Sequence, residues 1–136
     1  MNDLISIIIV NWNGKKWLKK CFDSLFSQTY KNFEIILVDN NSTDDSVEYI
    51  QNNYDVSKIC IVKSEKNVGF AGGNNLGIKK ARGKYIMLFN NDAWVDVDFL
   101  QKMFDFYAQH DFDVVGPIET DYENNTIYDC EIKIDF

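Results

Sequence analysis

Strand-like apolar runs alternate with helix-like stripes along most of this chain, and few folds accommodate that alternation. Ile5-Ser6-Ile7-Ile8-Ile9-Val10 is β-branched and almost wholly apolar, as a strand buried on both faces requires. From Lys15 the period changes: Trp17, Leu18, Cys21, Phe22, Leu25 and Phe26 form one helical stripe with lysines opposite. Phe33-Glu34-Ile35-Ile36-Leu37-Val38 restores the strand pattern. Ser42 or Thr43 then offers a cap for a helix whose first turn holds Asp44 and Asp45, acids suited to the positive end of a helix dipole.

The second half repeats the rhythm. Lys58 to Lys63 reads as a third strand. The glycine-rich stretch Gly69-Phe70-Ala71-Gly72-Gly73-Asn74-Asn75 leads into a helix that ends in Lys79, Lys80 and Arg82, with Gly83 as its stop. Lys84 to Phe89 is a fourth strand, closed by Asn90-Asn91-Asp92. A helix with Phe99, Leu100, Met103, Phe104 and Tyr107 on one face follows, then a short fifth strand, Asp113 to Gly116. From Glu119 to Phe136 the pattern becomes a hairpin, with Asp121 to Thr126 as the turn between two short strands. Strands alternating with helices predict an α/β fold: a mostly parallel sheet with helices on both faces.

Composition narrows what such a fold does. The 136 residues suit one domain, and 46% apolar content supports a packed core. A net charge of −7 argues against a nucleic-acid partner, where basic patches supply the attraction. Cys21, Cys60 and Cys130 lack metal-site spacing and read as reduced, buried thiols. Ile5 to Val10 is too short for a leader or a membrane core, so a cytoplasmic protein with no transmembrane segment is expected. His110, Lys79, Lys80 and Arg82 fit helix C-termini, and Trp12, Trp17 and Trp94 are expected in packing, with Trp12 near enough to the strand ends to touch a ligand.

In open α/β sheets ligands bind beyond the carboxyl ends of the strands. Those ends carry Asn11-Trp12-Asn13-Gly14, Asp39-Asn40-Asn41-Ser42, Glu65-Lys66-Asn67 and Asn90-Asn91-Asp92. Any one of these is an ordinary turn, because Asn, Asp and Gly are the usual turn formers. Four polar turns converging on one sheet edge indicate a binding site.

These segments, in this order, resemble the N-terminal, nucleotide-binding part of the GT-A type family 2 glycosyltransferases. The resemblance rests on Ile7 to Gly14, Val38 to Asp44, Asn67 to Asn75 and Asn90-Asn91-Asp92, and the Val10-Asn11-Trp12-Asn13-Gly14 wording is closest to the rhamnosyltransferase-like branch. It implies a Rossmann-like GT-A fold and a nucleotide-diphosphate sugar donor of UDP or dTDP type, with transfer to an acceptor hydroxyl. Asp39 resembles the carboxylate that accepts a hydrogen bond from a uracil- or thymine-type imide. Val10, Asn11 and Asn13 match the backbone framing base and ribose, with Asn41 in the second turn. Asn67 and Gly69 match the loop beside the nucleotide, and Asn74 and Asn75 are placed to add hydrogen bonds. Asn90-Asn91-Asp92 occupies the place of the family's Asp-x-Asp motif, with Asn90 replacing the first acid, so Asp92 alone is left to hold Mg²⁺ or Mn²⁺. Such an ion would offset the repulsion between an acidic protein and a diphosphate.

The resemblance covers nearly the whole chain and implies one donor-binding domain, 1–136, with 118–136 as the start of an acceptor-side region for a glycan or lipid-linked glycan. The general base of an inverting transferase lies downstream of the Asp-x-Asp position in this family. No later residue matches it: Asp129 and Glu131 sit in the expected hairpin. The chain therefore reads as a truncated donor half. The alternative is an inert module that holds nucleotide or a partner protein. A receiver domain would need acids after the first strand, where Asn11-Trp12-Asn13 stands, and a dehydrogenase would need G-x-G-x-x-G spacing.

Overall fold

The computed structural model describes residues 3–110, 113–117, 119–120 and 127–128. The order is β1 (Ile5–Asn11), α1 (Lys15–Phe26), β2 (Phe33–Asp39), α2 (Ser46–Asn53), a 3₁₀ turn (Val56–Lys58), β3 (Ile59–Lys63), α3 (Gly69–Ile78), β4 (Tyr85–Asn90), α4 (Phe99–Gln109), β5 (Glu119–Thr120) and β6 (Ile127–Tyr128). The chain forms two compact units, Met1–Leu100 and Gln101–Phe136.

In the first unit four parallel strands lie in the order β3-β2-β1-β4. The α/β expectation is therefore met. The two central strands, β1 and β2, hold the continuous apolar runs. Ile7, Ile8, Ile9, Ile35, Ile36, Leu37 and Val38 are all fully buried, each burial favouring the fold by roughly 1.5–3 kcal/mol. Right-handed crossovers send α1 and α2 to one face and α3 to the other, because the connection after β3 reverses direction across the sheet. Ile8, Ile36 and Val38 accordingly pack with Leu76 of α3 and Ala81. On α1 the stripe Leu18, Cys21, Phe22 and Leu25 is buried.

The amino-terminal ends of the strands are tied by an ionic cluster that sequence patterning does not reveal. Ser6 and Glu34 are register partners on β1 and β2. Glu34, only 6% exposed, accepts hydrogen bonds from Ser6 Oγ at 2.7 Å and from the Arg82 backbone N–H and Nε, each at 2.8 Å, and pairs with Arg82 Nη2 at 2.5 Å. Burial disfavours its charge, but the bonds from Ser6 and Arg82 outweigh burial and hold its pKa below the ordinary carboxylate value. Gly83 N–H completes the cluster on Ser6 Oγ at 2.8 Å. A Cβ on Gly83 would lie 2.6 Å from the Ser6 backbone nitrogen, so this approach needs glycine. Arg82 is thus part of a clamp between α3 and the sheet; α3 itself ends at Ile78, with Lys79 as its cap.

Several sequence expectations need correction. Residues 113–117 form no strand: Val114 is 70% exposed, and Pro117 lacks the N–H a ladder needs. Trp12, Trp17 and Trp94 are exposed rather than packed in the core. Lys16 and Lys20 lie over the Trp17 and Trp94 rings, so these indoles interact with lysines at the surface. Cys21 is buried as expected, but Cys60 on edge strand β3 is exposed. Asp45, not Ser42 or Thr43, occupies the N-cap position of α2, where the first helical N–H, that of Ser46, is taken by Asp44 Oδ1 at 3.1 Å.

In the second unit, β5 and β6 pair antiparallel as the hairpin reading requires, Glu119 with Tyr128 and Thr120 with Ile127. The expected turn at 121–126, Cys130, Asp129 and Glu131 lie outside the described residues.

Candidate functional site

Parallel register brings the polar strand ends together. Asn11 of β1 stands opposite Asp39 of β2, Asp39 opposite Lys63 of β3, and Val10 opposite Asn90 of β4. Between β1 and β4 the strand order reverses, and in such sheets this is where a ligand crevice opens.

Asn11 is fully buried at this switch point. Its Oδ1 accepts from Asn91 Nδ2 at 2.8 Å, and its Nδ2 donates to Ser42 Oγ at 3.2 Å. Ser42 Oγ also accepts the Asn13 backbone N–H at 3.0 Å, while the Ser42 N–H donates to Asp39 Oδ1 at 3.3 Å. Asn13 has φ +50°, a left-handed conformation that Asn tolerates. Its Oδ1 accepts the Thr43 N–H at 2.7 Å and the Asp44 N–H at 3.3 Å. Ser42 and Thr43, expected to cap a helix, instead connect the first turn to the second.

Asp39 is 7% exposed, and among the described residues its carboxylate takes only the Ser42 bond. The remaining acceptor capacity suits a donor N–H from a ligand. The neighbouring Asn40, 2% exposed, reaches the loop before α3. Its Nδ2 donates to Asn67 Oδ1 at 2.9 Å and to the Gly69 carbonyl at 3.2 Å, and its Oδ1 accepts the Val68 N–H at 2.9 Å. Gly69 N–H in turn donates to Asn67 Oδ1 at 2.9 Å. Gly69 has φ +74° with open space where a Cβ would stand, which leaves its backbone bare to an approaching molecule. Asn41 is exposed with φ +66° and turns the chain between these two networks.

The fourth turn is held from below. Cys21 Sγ of α1 lies 3.8 Å from the Asn90 carbonyl, a weak thiol donor contact. Burial, with a smaller contribution from the Asp92 charge, pushes the Cys21 thiol up to about 12, so it stays protonated and able to donate. Asp92 itself is exposed, and among the described residues no group of three His, Cys, Asp or Glu side chains gathers to hold a metal. That donor set does not make a self-sufficient cage. It fits the Mg²⁺-type arrangement, in which one protein carboxylate shares the ion with substrate phosphates.

The glycine-rich stretch is itself the first turns of α3, not a loop leading into a helix. Its glycines have a packing reason: a Cβ on Gly73 would lie 2.6 Å from Val10 Cγ1, and one on Gly77 would lie 2.4 Å from Ile8 Cγ2. Helix and sheet can approach this closely only without side chains there. Of the predicted site residues, Asn11, Asn13, Asp39 and Asn91 join one network, and Asn67 and Gly69 join the Asn40 network. Asn74 is buried with its Nδ2 on the Phe70 carbonyl at 3.0 Å. Asn75 is exposed on α3, and Asn90 and Asp92 are exposed at the end of β4. Asn40, Ser42, Gly14 and Cys21 escaped site assignment from sequence. Asn40, Ser42 and Gly14 stand in the strand-end turns, Ser42 also as a cap candidate, and Cys21 reads only as a buried thiol.

The sequence profile of the family described as "Glycosyl transferase family 2" matches residues 6–129. The chain belongs to glycosyl transferase family 2. One relative is the Escherichia coli UDP-Glc:alpha-D-GlcNAc-diphosphoundecaprenol beta-1,3-glucosyltransferase WfaP, 37% identical over 90% of this chain and 54% of the relative. The fold is that of GT-A glycosyltransferases. Staphylococcus aureus TarS 1-349 in complex with UDP-GlcNAc superimposes with a TM-score of 0.73 at 23% identity, over 78% of this chain and 31% of that one. The mannosyltransferase PcManGT from Pyrobaculum calidifontis, in complex with GDP-Man and Mn²⁺, gives 0.62 at 21% identity over 66% of this chain and 28% of that one. The chain spans between 16% and 54% of the length of four of the curated relatives it matches. Among the described residues no helix is long and apolar enough to cross a membrane.

Proposed function

We propose that this chain binds the nucleotide-sugar donor of a family 2 glycosyltransferase, with a UDP- or dTDP-type base against Asp39 and the diphosphate over the Asn90–Asp92 turn. The observation that carries the reading is the underused Asp39 carboxylate at the carboxyl end of β2, next to Asn40, which holds the Gly69 loop. A charged acceptor that is partly desolvated discriminates strongly for an imide N–H. The backbone of Val10, Asn11 and Asn13 frames base and ribose, and Asn41, Asn67, Asn74 and Asn75 complete the binding surface. Asn90 bonds a ribose hydroxyl, and Asp92 would hold Mg²⁺ or Mn²⁺. Such an ion would supply charge stabilisation for the departing diphosphate. UDP and UDP-GlcNAc in TarS, and Mn²⁺ in PcManGT, support this reading by analogy of fold.

In this reading the donor domain covers 1–136, with an acceptor-side region beginning at 118. The acceptor is a glycan or lipid-linked glycan and the setting is polysaccharide biosynthesis, cytoplasmic and peripheral to the membrane. The Val10–Gly14 wording favours the rhamnosyltransferase-like branch. No residue of the chain is assigned as general base, so turnover by the chain alone is expected to match a no-enzyme control. A second reading, an inert nucleotide- or partner-binding module, draws on the lone carboxylate of the Asn90–Asp92 turn. Calorimetric titration with UDP, dTDP, GDP and ADP, with and without Mn²⁺, tests the donor reading. Mn²⁺-dependent binding of UDP or dTDP supports it, and no binding of any nucleotide contradicts it.

A further inference from the structure

We propose that Asn11 is a positioning residue that couples the base side of the site to the diphosphate side, so that the Asn91–Asp92 turn is set by the same side chain that sets Asp39. The inference rests on the donor-site reading above. Its basis is a continuous chain of hydrogen bonds: Asp39 Oδ1 from Ser42 N–H at 3.3 Å, Ser42 Oγ from Asn11 Nδ2 at 3.2 Å, and Asn11 Oδ1 from Asn91 Nδ2 at 2.8 Å. The last bond joins residues 80 apart in sequence, across the point where the strand order reverses.

Two further observations show that the fold makes room for this bond. Gly14 has an ordinary negative φ, −103°, so its backbone does not need glycine. A Cβ there would lie 2.2 Å from Asn91 Nδ2 and 2.4 Å from Asn11 Oδ1, directly on the amide pair. Asn11 is also fully buried, and among the described residues no buried side-chain N or O lacks a partner. Removing Asn91 would strand the buried Asn11 Oδ1, which costs more than losing a solvated bond does. Because the pair is neutral, it adds no charge beside Asp39 or Asp92. The turn can therefore be held in place without raising repulsion toward a diphosphate.

The test compares uridine with UDP, each with and without Mn²⁺, in the wild type and in variants. Asn91→Ala and Gly14→Ala accompany Asn11→Ala because they break the same bond from less buried or side-chain-free positions; thermal unfolding confirms that each is folded. The expected result is a loss of about tenfold (about 1.4 kcal/mol) in the Mn²⁺ enhancement of UDP affinity, with uridine affinity changed less than about twofold in Asn91→Ala. In an Asp92→Ala background the Asn91→Ala loss should vanish, since both act through one turn. Equal losses for uridine and UDP, additive with Asp92→Ala, would overturn the coupling while leaving the donor reading intact. A wild type that binds no nucleotide would overturn both.

Discussion

The two ends of the same four-stranded sheet use polar groups in opposite ways. At the amino-terminal end Glu34 is saturated: Ser6 and three nitrogens of Arg82 satisfy it, and nothing is left for a ligand. At the carboxyl end the side-chain bonds run mainly between neutral amides and hydroxyls, and Asp39 keeps acceptor capacity. The first end is a clamp that stabilises the fold; the second is a pre-shaped surface whose charge is held in reserve. A buried carboxylate is thus no sign of a site until its partners are counted.

That contrast can be broken at several points. The largest effect is expected from Gly77→Val, which forces a side chain into Ile8 and Val38 and should cost about 3 kcal/mol in urea unfolding through lost α3 docking. Arg82→Ala leaves the Glu34 carboxylate buried without its cation. Because Arg82 itself is largely exposed, the loss should be smaller than for Gly77→Val, with UDP affinity of the folded fraction unchanged. Asp39→Ala should behave in the reverse manner. Its stability should fall by about 1 kcal/mol or less, while UDP affinity drops roughly tenfold in calorimetry. Gly69→Ala meets no steric clash but must hold φ +74°, at about 1 kcal/mol of stability.

The smallest effect is a pH dependence. Glu34 has a lowered folded-state pKa, so its contribution is complete above its ordinary value of 4.5 and is lost as pH falls through the folded value. Unfolding free energies measured from pH 6 downward should decline less steeply in Glu34→Gln than in the wild type.

Sequence patterning was informative where periodicity is strong. The runs Ile5–Val10 and Phe33–Val38 announced the buried parallel strands, and the α1 stripe included the four buried positions Leu18, Cys21, Phe22 and Leu25, along with Trp17, which is exposed, and Phe26, which is half-buried. It failed where position depends on distant partners. The glycines of residues 69–77 look like loop chemistry locally, yet Gly73 and Gly77 serve close packing against Val10 and Ile8. The exposed tryptophans carry a core-like residue type, but Lys16 and Lys20 cover part of the Trp17 and Trp94 rings at the surface. For the site, Asp39 and Asp92 were visible as acids ending strands. The bond from Asn91 to Asn11 was not, because nothing in either turn specifies a partner 80 residues away.

The most direct test of the contrast is nuclear magnetic resonance of the isotope-labelled chain, titrated with UDP in the presence of Mg²⁺. The account predicts amide shifts concentrated at Asn11, Asn13, Ser42, Gly69 and Asn91, with Ser6, Arg82 and Gly83 unmoved. Shifts centred on Ser6, Arg82 and Gly83, or no shifts at saturating UDP, would contradict it.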